Sequence, residues 1–285
     1  MQPDLLLPAF PRITDYLGAW CFEPTRFETL LRGVRVADFT AHVAAIRQAG
    51  PVASRGAMRY TEMIAAAGGQ QVAVIKMAGT LMKGESSFGG TSTVQLRREI
   101  RAVAADESVS GILLAIDSPG GTSAGTADLA AEVKMASRKK PVWAHIDDLG
   151  ASAAYYVASQ ANLIYANTAD ALVGSIGTMM MIYDASGAFE KEGIKPMLFK
   201  TGPLKGAGSM GSAVSEEQAA YFQKIIDGLQ EGFDAAVKSG RGLSAKELDA
   251  VRTGGVFLAS EAKQLRLIDG IRPLAKTLAE LSAAK

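Results

Sequence analysis

From Gln71 onward the chain alternates short, continuously apolar runs with amphipathic stretches, and that rhythm admits few folds. QVAVIKMAG (71–79), GILLAID (111–117) and PVWAHID (141–147) read as strands buried on both faces. Between them, VQLRREIRAVAAD (94–106) places Leu96, Ile100, Val103 and Ala104 on one helical face. SAGTADLAAEVKMASRKK (123–140) reads as a second helix, stopped before Pro141. Strands alternating with helices of about 10 to 15 residues predict an α/β domain with a largely parallel sheet.

The remainder follows the same rhythm. A helix is expected from about Ser152 to Ala161, a strand at LIYAN (163–167), another at TMMMIYD (178–184), a short helix at GAFEKEG (187–193) and a strand at KPMLFKTG (195–202). Ser215 with Gln218, and Ser244 with Glu247, have the spacing of capping boxes that open helices. GVFLAS (255–260), a further helix and a C-terminal helix from Pro273 close the chain. Residues 1–70 differ in character. Three prolines fall within the first eleven positions, two short helices are expected at RFETLLRGV and ADFTAHVAAIRQA, and AAAGGQ (65–70) reads as a linker. The expected division is an N-terminal arm over 1–70, a main domain over 71–272 and a C-terminal helix over 273–285.

Composition narrows the function. Lys+Arg number 30 against Asp+Glu 29, and a net charge of +1 offers no electrostatic case for nucleic acid or an anionic membrane. Cys21 is the only cysteine, so the chain has no internal disulfide and no thiolate metal site. Two histidines, His42 and His145, argue against a His-rich zinc centre, and neither metal nor cofactor is expected. The opening MQPDLLLPAFPRITDYLGAW lacks a basic region before its short leucine run, and nothing elsewhere approaches a membrane-spanning apolar stretch. The expectation is a soluble protein of a reducing compartment, the cytoplasm.

In parallel α/β sheets ligands meet the carboxyl ends of strands, so the residues after each strand carry the argument. After GILLAID comes Ser118-Pro119-Gly120-Gly121, a turn whose unshielded amides suit an anion or a developing oxyanion. After PVWAHID comes DLGASAAYY, with Ser152 at a helix start and the Ala153 amide beside it. Ser175 lies between two glycines in GSIG, and Lys205 lies in the Gly-rich PLKGAG. Each has a bland alternative: a plain turn, a helix cap, another turn, and a solvated surface charge. As a base, Lys205 must be held neutral near pH 7, at a cost on the order of 4 kcal/mol of desolvation or charge repulsion. A Ser-His-Asp triad is the competing arrangement. His145, however, lies inside a strand seven residues before Ser152, and His42 lies in the N-terminal arm, so Lys205 is the better base. Asp147 and Asp148 precede Ser152 in its loop.

Taken in order, SPGG, GASAAYY, GSIG and a lysine 53 residues after Ser152 resemble the signal peptide peptidase A family of serine peptidases. VAVIKMAGTLMK, GILLAIDSPGGTSAG, KPVWAHIDD and GSIGTMMMIYDASGAFEKEGIK are most similar to its phage branch, the prohead (capsid assembly) proteases of lambda-like phages. The resemblance covers about residues 71–272. It implies a Clp-protease/crotonase fold, a spiral of ββα units. It also implies Ser152 as nucleophile, Lys205 as general base, oxyanion amides at Gly121 and Ala153, and Ser175 orienting Lys205. The implied partners are peptide or protein substrates, including scaffold or capsid proteins, and further copies of the chain, since family members form rings. In some of them the lysine comes from a neighbouring subunit. The procapsid interior joins the cytoplasm as an implied location. One feature departs from the family pattern, Ala153-Ala154 in place of the common Gly-Gly, and unlike the cellular enzymes this chain is not expected to carry an N-terminal membrane anchor. The alternatives are a peptidase that degrades signal peptides, a crotonase-type acyl-CoA enzyme, and a capsid or scaffold component without catalysis.

Overall fold

A computed structural model describes residues 19–23, 26, 58–84 and 90–284. The two helices expected within 26–49, apart from Arg26, and His42 with them, lie outside the described residues.

Three parallel strands form the centre: β3 (Gln71–Ala78), β6 (Val109–Ser118) and β8 (Val142–Ala151). They belong to a sheet that runs β11 (Val256–Leu258), β10 (Leu172–Gly174), β8, β6, β3, β2 (Thr61–Ala65). β9 (Leu163–Ala166) pairs with β8 and with β12 (Gly270–Ile271). The edge strands β2 and β11 are antiparallel to their neighbours, and the other pairings are parallel. The predicted α/β class with a largely parallel sheet is what forms.

A second, four-stranded sheet has the order β1 (Trp20–Phe22), β7 (Gly120–Thr122), β4 (Leu81–Met82), β5 (Thr91–Ser92). The chain therefore repeats one pattern. A strand of the large sheet is followed by strands of the small one and then by a helix. First come β3, β4, β5 and α1 (Thr93–Ala105); then β6, β7 and α2 (Thr126–Ala136). These are the expected ββα units.

Side-chain alternation decides the layers. Ala73, Ile75 and Met77 of β3, with Ile112, Leu114 and Ile116 of β6, face the main core shared with α1 and α2. The predicted face of α1 is the buried one, since Leu96, Ile100, Val103 and Ala104 all lie in that core. Val72, Val74 and Leu113 point the other way and meet Leu281 of α8 (Leu274–Ala283), so the C-terminal helix covers the second face. β1 and β2 likewise lie within the sheets, although both fall in the stretch 1–70.

His145 sits in the middle of β8, 1% exposed, with Nδ1 3.0 Å from the Thr277 hydroxyl of α8. Burial lowers its pKa, against the opposing pull of Asp147, and Arg272 adds to the lowering. The neutral ring is thus favoured in the folded state, and the unfolded chain takes up a proton first on acidification. Stability is expected to be full above the unfolded value near 6.5 and to fall as pH drops below it. Thermal melts between about pH 7.5 and pH 5 should show the loss, and His145→Gln should flatten it.

Two strands expected from sequence do not form. TMMMIYD contributes only an isolated bridge between Met179 and Trp20, and KPMLFKTG has no regular structure. Met197 is 75% exposed and Phe199 87%. An apolar run becomes a strand only when a neighbouring backbone takes its hydrogen bonds, and among the described residues none pairs with 195–202. The capping signals hold. Ser215 accepts the Gln218 amide at the start of α5 (Glu216–Arg241), and Ser244 with Glu247 completes a capping box on α6 (Ala245–Val251).

Candidate active site

Ser152 joins β8 to α3 (Ala153–Ala158), a helix shorter than the expected 152–161. It occupies the N-cap position, yet its side chain caps nothing, and its backbone stands at φ 53°, ψ −118°. A non-glycine residue there carries strain of about 1–3 kcal/mol. A helix cap needs no such strain, because ordinary caps are extended. A sharp strand-to-helix turn strained at its serine is the form that a nucleophile elbow takes. Several bonds hold it. The Ser152 amide donates to Gly174 O at 2.7 Å, and Tyr156 N donates to Ser152 O at 2.8 Å. Below it, the buried Tyr155 hydroxyl donates to Leu267 O at 2.8 Å, and Tyr156 stacks on Phe233 at 4.7 Å. The Ser152 hydroxyl itself has only a 3.5 Å contact with Gly177 O, at the long limit of a hydrogen bond.

The SPGG turn is brought alongside by register. Ile116 pairs with Ile146, but Ser118 pairs with Gly150, so β8 gains two residues at Asp147–Leu149 and delivers Gly150–Ser152 to the turn. Ser118 is buried and pins the turn, donating to Gly79 O at 2.6 Å while accepting the Gly120 amide at 3.2 Å. Gly120 has φ 106°, and a Cβ there would lie 2.9 Å from Ser152 Cβ and 3.0 Å from Ala153 N. Gly120 is therefore the glycine that faces the nucleophile candidate, a role the sequence did not separate from that of Gly121. Gly121 lies in β7, between β1 and β4. A Cβ on Gly121 would sit 1.9 Å from Leu81 O, a clash with backbone. Gly121→Ala is expected to cost about 3 kcal/mol or more, read as a lower denaturant midpoint.

Ser175 is 2% exposed, with φ 50°, and its amide donates to Gly255 O at 2.7 Å. The structure thus brings together Ser152, Ala153, Gly120, Gly121 and the 174–177 turn. Lys205 is not among them. It lies exposed in a turn closed by Lys205 N to Gly202 O at 3.1 Å, and its ammonium bonds neither Ser152 nor Ser175. Its surroundings are apolar and uncovered, with Leu198 46% and Met210 78% exposed. His145 and its Thr277 partner belong to the packing of β8.

Cys21 is also close. Its Sγ lies 3.4 Å from Ser123 Oγ and 3.6 Å from Thr178 Oγ1. Burial pushes its thiol pKa up, which keeps it a poor nucleophile. Beside Phe22 and Pro119 a cavity of about 600 Å³ opens, lined also by Arg26, Asp117, Asp148 and Asp170. Burial, then the charges of Asp148 and Asp147, hold the Asp117 carboxyl above the usual range. Among the described residues no cluster of His, Cys, Asp and Glu could hold a metal ion, and no helix is long and apolar enough to cross a membrane.

Against known families, the profile of peptidase family S49 matches residues 134–285, a span that includes Ser152, Ser175 and Lys205. The chloroplastic serine protease SPPA of Arabidopsis thaliana is 29% identical over 217 residues, covering 74% of this chain and 32% of that protein. Capsid assembly protease C of Escherichia phage lambda is 32% identical over 179 residues, covering 61% of this chain and 40% of that one. Among solved structures, an enoyl-CoA hydratase/isomerase family member aligns over 78% of this chain and 72% of its own, at 16% identity and a TM-score of 0.39. The chain spans between 32% and 65% of the length of the first curated relatives it matches.

Proposed function

The chain belongs to peptidase family S49, and we propose that it is a serine endopeptidase whose nucleophile is Ser152 and whose general base is Lys205. The observation that carries this reading is the strained, uncapped turn at Ser152, buried against the Gly-rich SPGG turn. Lys205 takes the Ser152 proton as Oγ attacks a peptide carbonyl. Amides at Ala153 and Gly121 stabilise the tetrahedral oxyanion. Lys205 then protonates the leaving amine, and water hydrolyses the acyl-enzyme. Ser175 positions Lys205.

Lys205 is exposed and distant in bonding from Ser152, so we assign the base to a neighbouring subunit of a homo-oligomer. The uncovered apolar surface at Met197, Leu198, Phe199 and Met210 supports this, since such patches mark association sites. Covering that segment also supplies the desolvation that a lysine base requires. The similarity to capsid assembly protease C supports a role in phage head maturation, acting on scaffold or capsid proteins inside the procapsid. Degradation of signal peptides is the second reading, supported by the similarity to the plant SPPA protease.

A fluorophosphonate probe tests the chemistry. It is expected to label the wild-type protein on Ser152 and to leave Ser152→Ala and Lys205→Ala unlabelled. Equal labelling of Ser152→Ala would falsify the assignment.

A further inference from the structure

Ser152 is 0% exposed. A peptidase whose nucleophile is wholly covered cannot meet a substrate until something leaves. One element packed against the SPGG turn beside Ser152 is β1. A Cβ on Gly120 would lie 2.3 Å from the Cys21 carbonyl oxygen, on the same side as Ser152 and the Ala153 amide.

The pairing of β1 is that of a bound peptide. It runs antiparallel to β7, with Trp20 opposite Thr122, Cys21 opposite Gly121 and Phe22 opposite Gly120. Ser123 N donates to Ala19 O at 3.0 Å, and Glu23 N donates to Pro119 O at 2.8 Å. Hydrogen-bonded pairs alternate in an antiparallel ladder, so Cys21 and Gly121 form the bonded pair between those two, with the Gly121 amide on the Cys21 carbonyl. On its other edge β1 exchanges two bonds with Met179, Trp20 N to Met179 O and Met179 N to Trp20 O, each 2.8 Å. Without β1, unpaired backbone would line both walls of a slot one strand wide. Its side chains alternate as those of a bound peptide do. Trp20 and Phe22 are edge-to-face at 5.5 Å and pack with Met82, Met179 and Met181. Cys21 points the opposite way, into the main core. Beyond Phe22 the line continues into the acidic cavity.

We propose that residues 19–23 are a tethered pseudo-substrate. They occupy the groove between β7 and Met179, hold a backbone carbonyl on the oxyanion amide of Gly121, and must be displaced for cleavage. The substrate class follows from what they fill: an extended peptide with large apolar side chains two residues apart and a small side chain between them, recognised by strand addition. This rests on the peptidase reading of Ser152.

Ser123→Cys tests it in the full chain. Cys21 is the only native cysteine, and its Sγ lies 3.4 Å from the Ser123 Oγ, so oxidation joins β1 to β7 by a single defined disulfide. The oxidised protein is expected to lose peptide cleavage and fluorophosphonate labelling by about tenfold or more relative to the reduced form, because the open state is no longer populated. In a Ser152→Ala, Ser123→Cys background, a dansyl-labelled Ala-Trp-Ala-Phe-Glu peptide should bind the reduced protein and not the oxidised one. Equal cleavage, or equal peptide binding, in the two redox states overturns the proposal. Absence of labelling in both states, with redox-dependent peptide binding intact, overturns the Ser152 assignment and leaves the role of β1 standing.

Discussion

Ser152→Ala is expected to lower peptidase turnover by about 10⁴-fold or more while leaving the fold and the oligomer unchanged. The magnitude is that of removing a nucleophile from a unit whose members act together, where residual rate comes only from binding and the oxyanion amides. Alanine keeps a Cβ at φ 53°, so it also keeps the backbone strain, and its stability should match the wild type. Ser152→Gly separates the two effects. It should be equally inactive, yet more stable by about 1 kcal/mol, or roughly 2 °C in Tm, because glycine relieves the strain and gives back part of the gain as unfolded-state entropy. A serine that served only as a helix cap would behave in the opposite way, with activity untouched and stability lowered.

The second large effect concerns Lys205. Lys205→Ala and Ser152→Ala are each expected to be inactive alone. Mixed under conditions that exchange subunits, they should regain activity. A site is competent when a subunit with intact Ser152 adjoins one with intact Lys205, which holds for about a quarter of sites in an equal mixture around a ring with one head-to-tail contact per site. Peptide hydrolysis against mixing ratio reads this directly. No recovery at any ratio, with exchange verified by mass, would place both residues in one subunit. Substituting Phe199, 87% exposed, by Asp should abolish the proposed self-association and remove activity without touching Ser152.

Much of the scaffold was legible from the sequence, for local reasons. Continuous apolar runs marked β3, β6 and β8, since strands covered on both faces need no polar alternation. The Leu96–Ile100–Val103 spacing marked the buried face of α1, and Ser244 with Glu247 marked the start of α6, because caps are contacts between near neighbours. The order of the four motif loops was legible as well, and three of them follow strands: SPGG after β6, Ser152 after β8 and GSIG after β10.

What lay beyond reach depends on partners distant in the chain. β1 pairs with β7 across about a hundred residues, and nothing in the three residues of TrpCysPhe announces a strand or its neighbour. The same holds for the apolar run at 195–202, whose propensity is that of a strand but which pairs with no backbone among the described residues. Which of two adjacent glycines faces Ser152 was equally hidden. The register shift between Ile116 and Ser118 places Gly120 against Ser152 and Gly121 between β1 and β4. The sequence by itself determined the central strands and helices, the order of the loops and the residue types at each strand end, because hydrophobic periodicity and turn chemistry act within a few residues. Only the tertiary structure decided that Ser152 stands at φ 53° rather than as an ordinary cap, that β1 pairs with β7 beside the SPGG turn and that Lys205 stays apart from Ser152, because strain, pairing and burial exist only once distant segments meet.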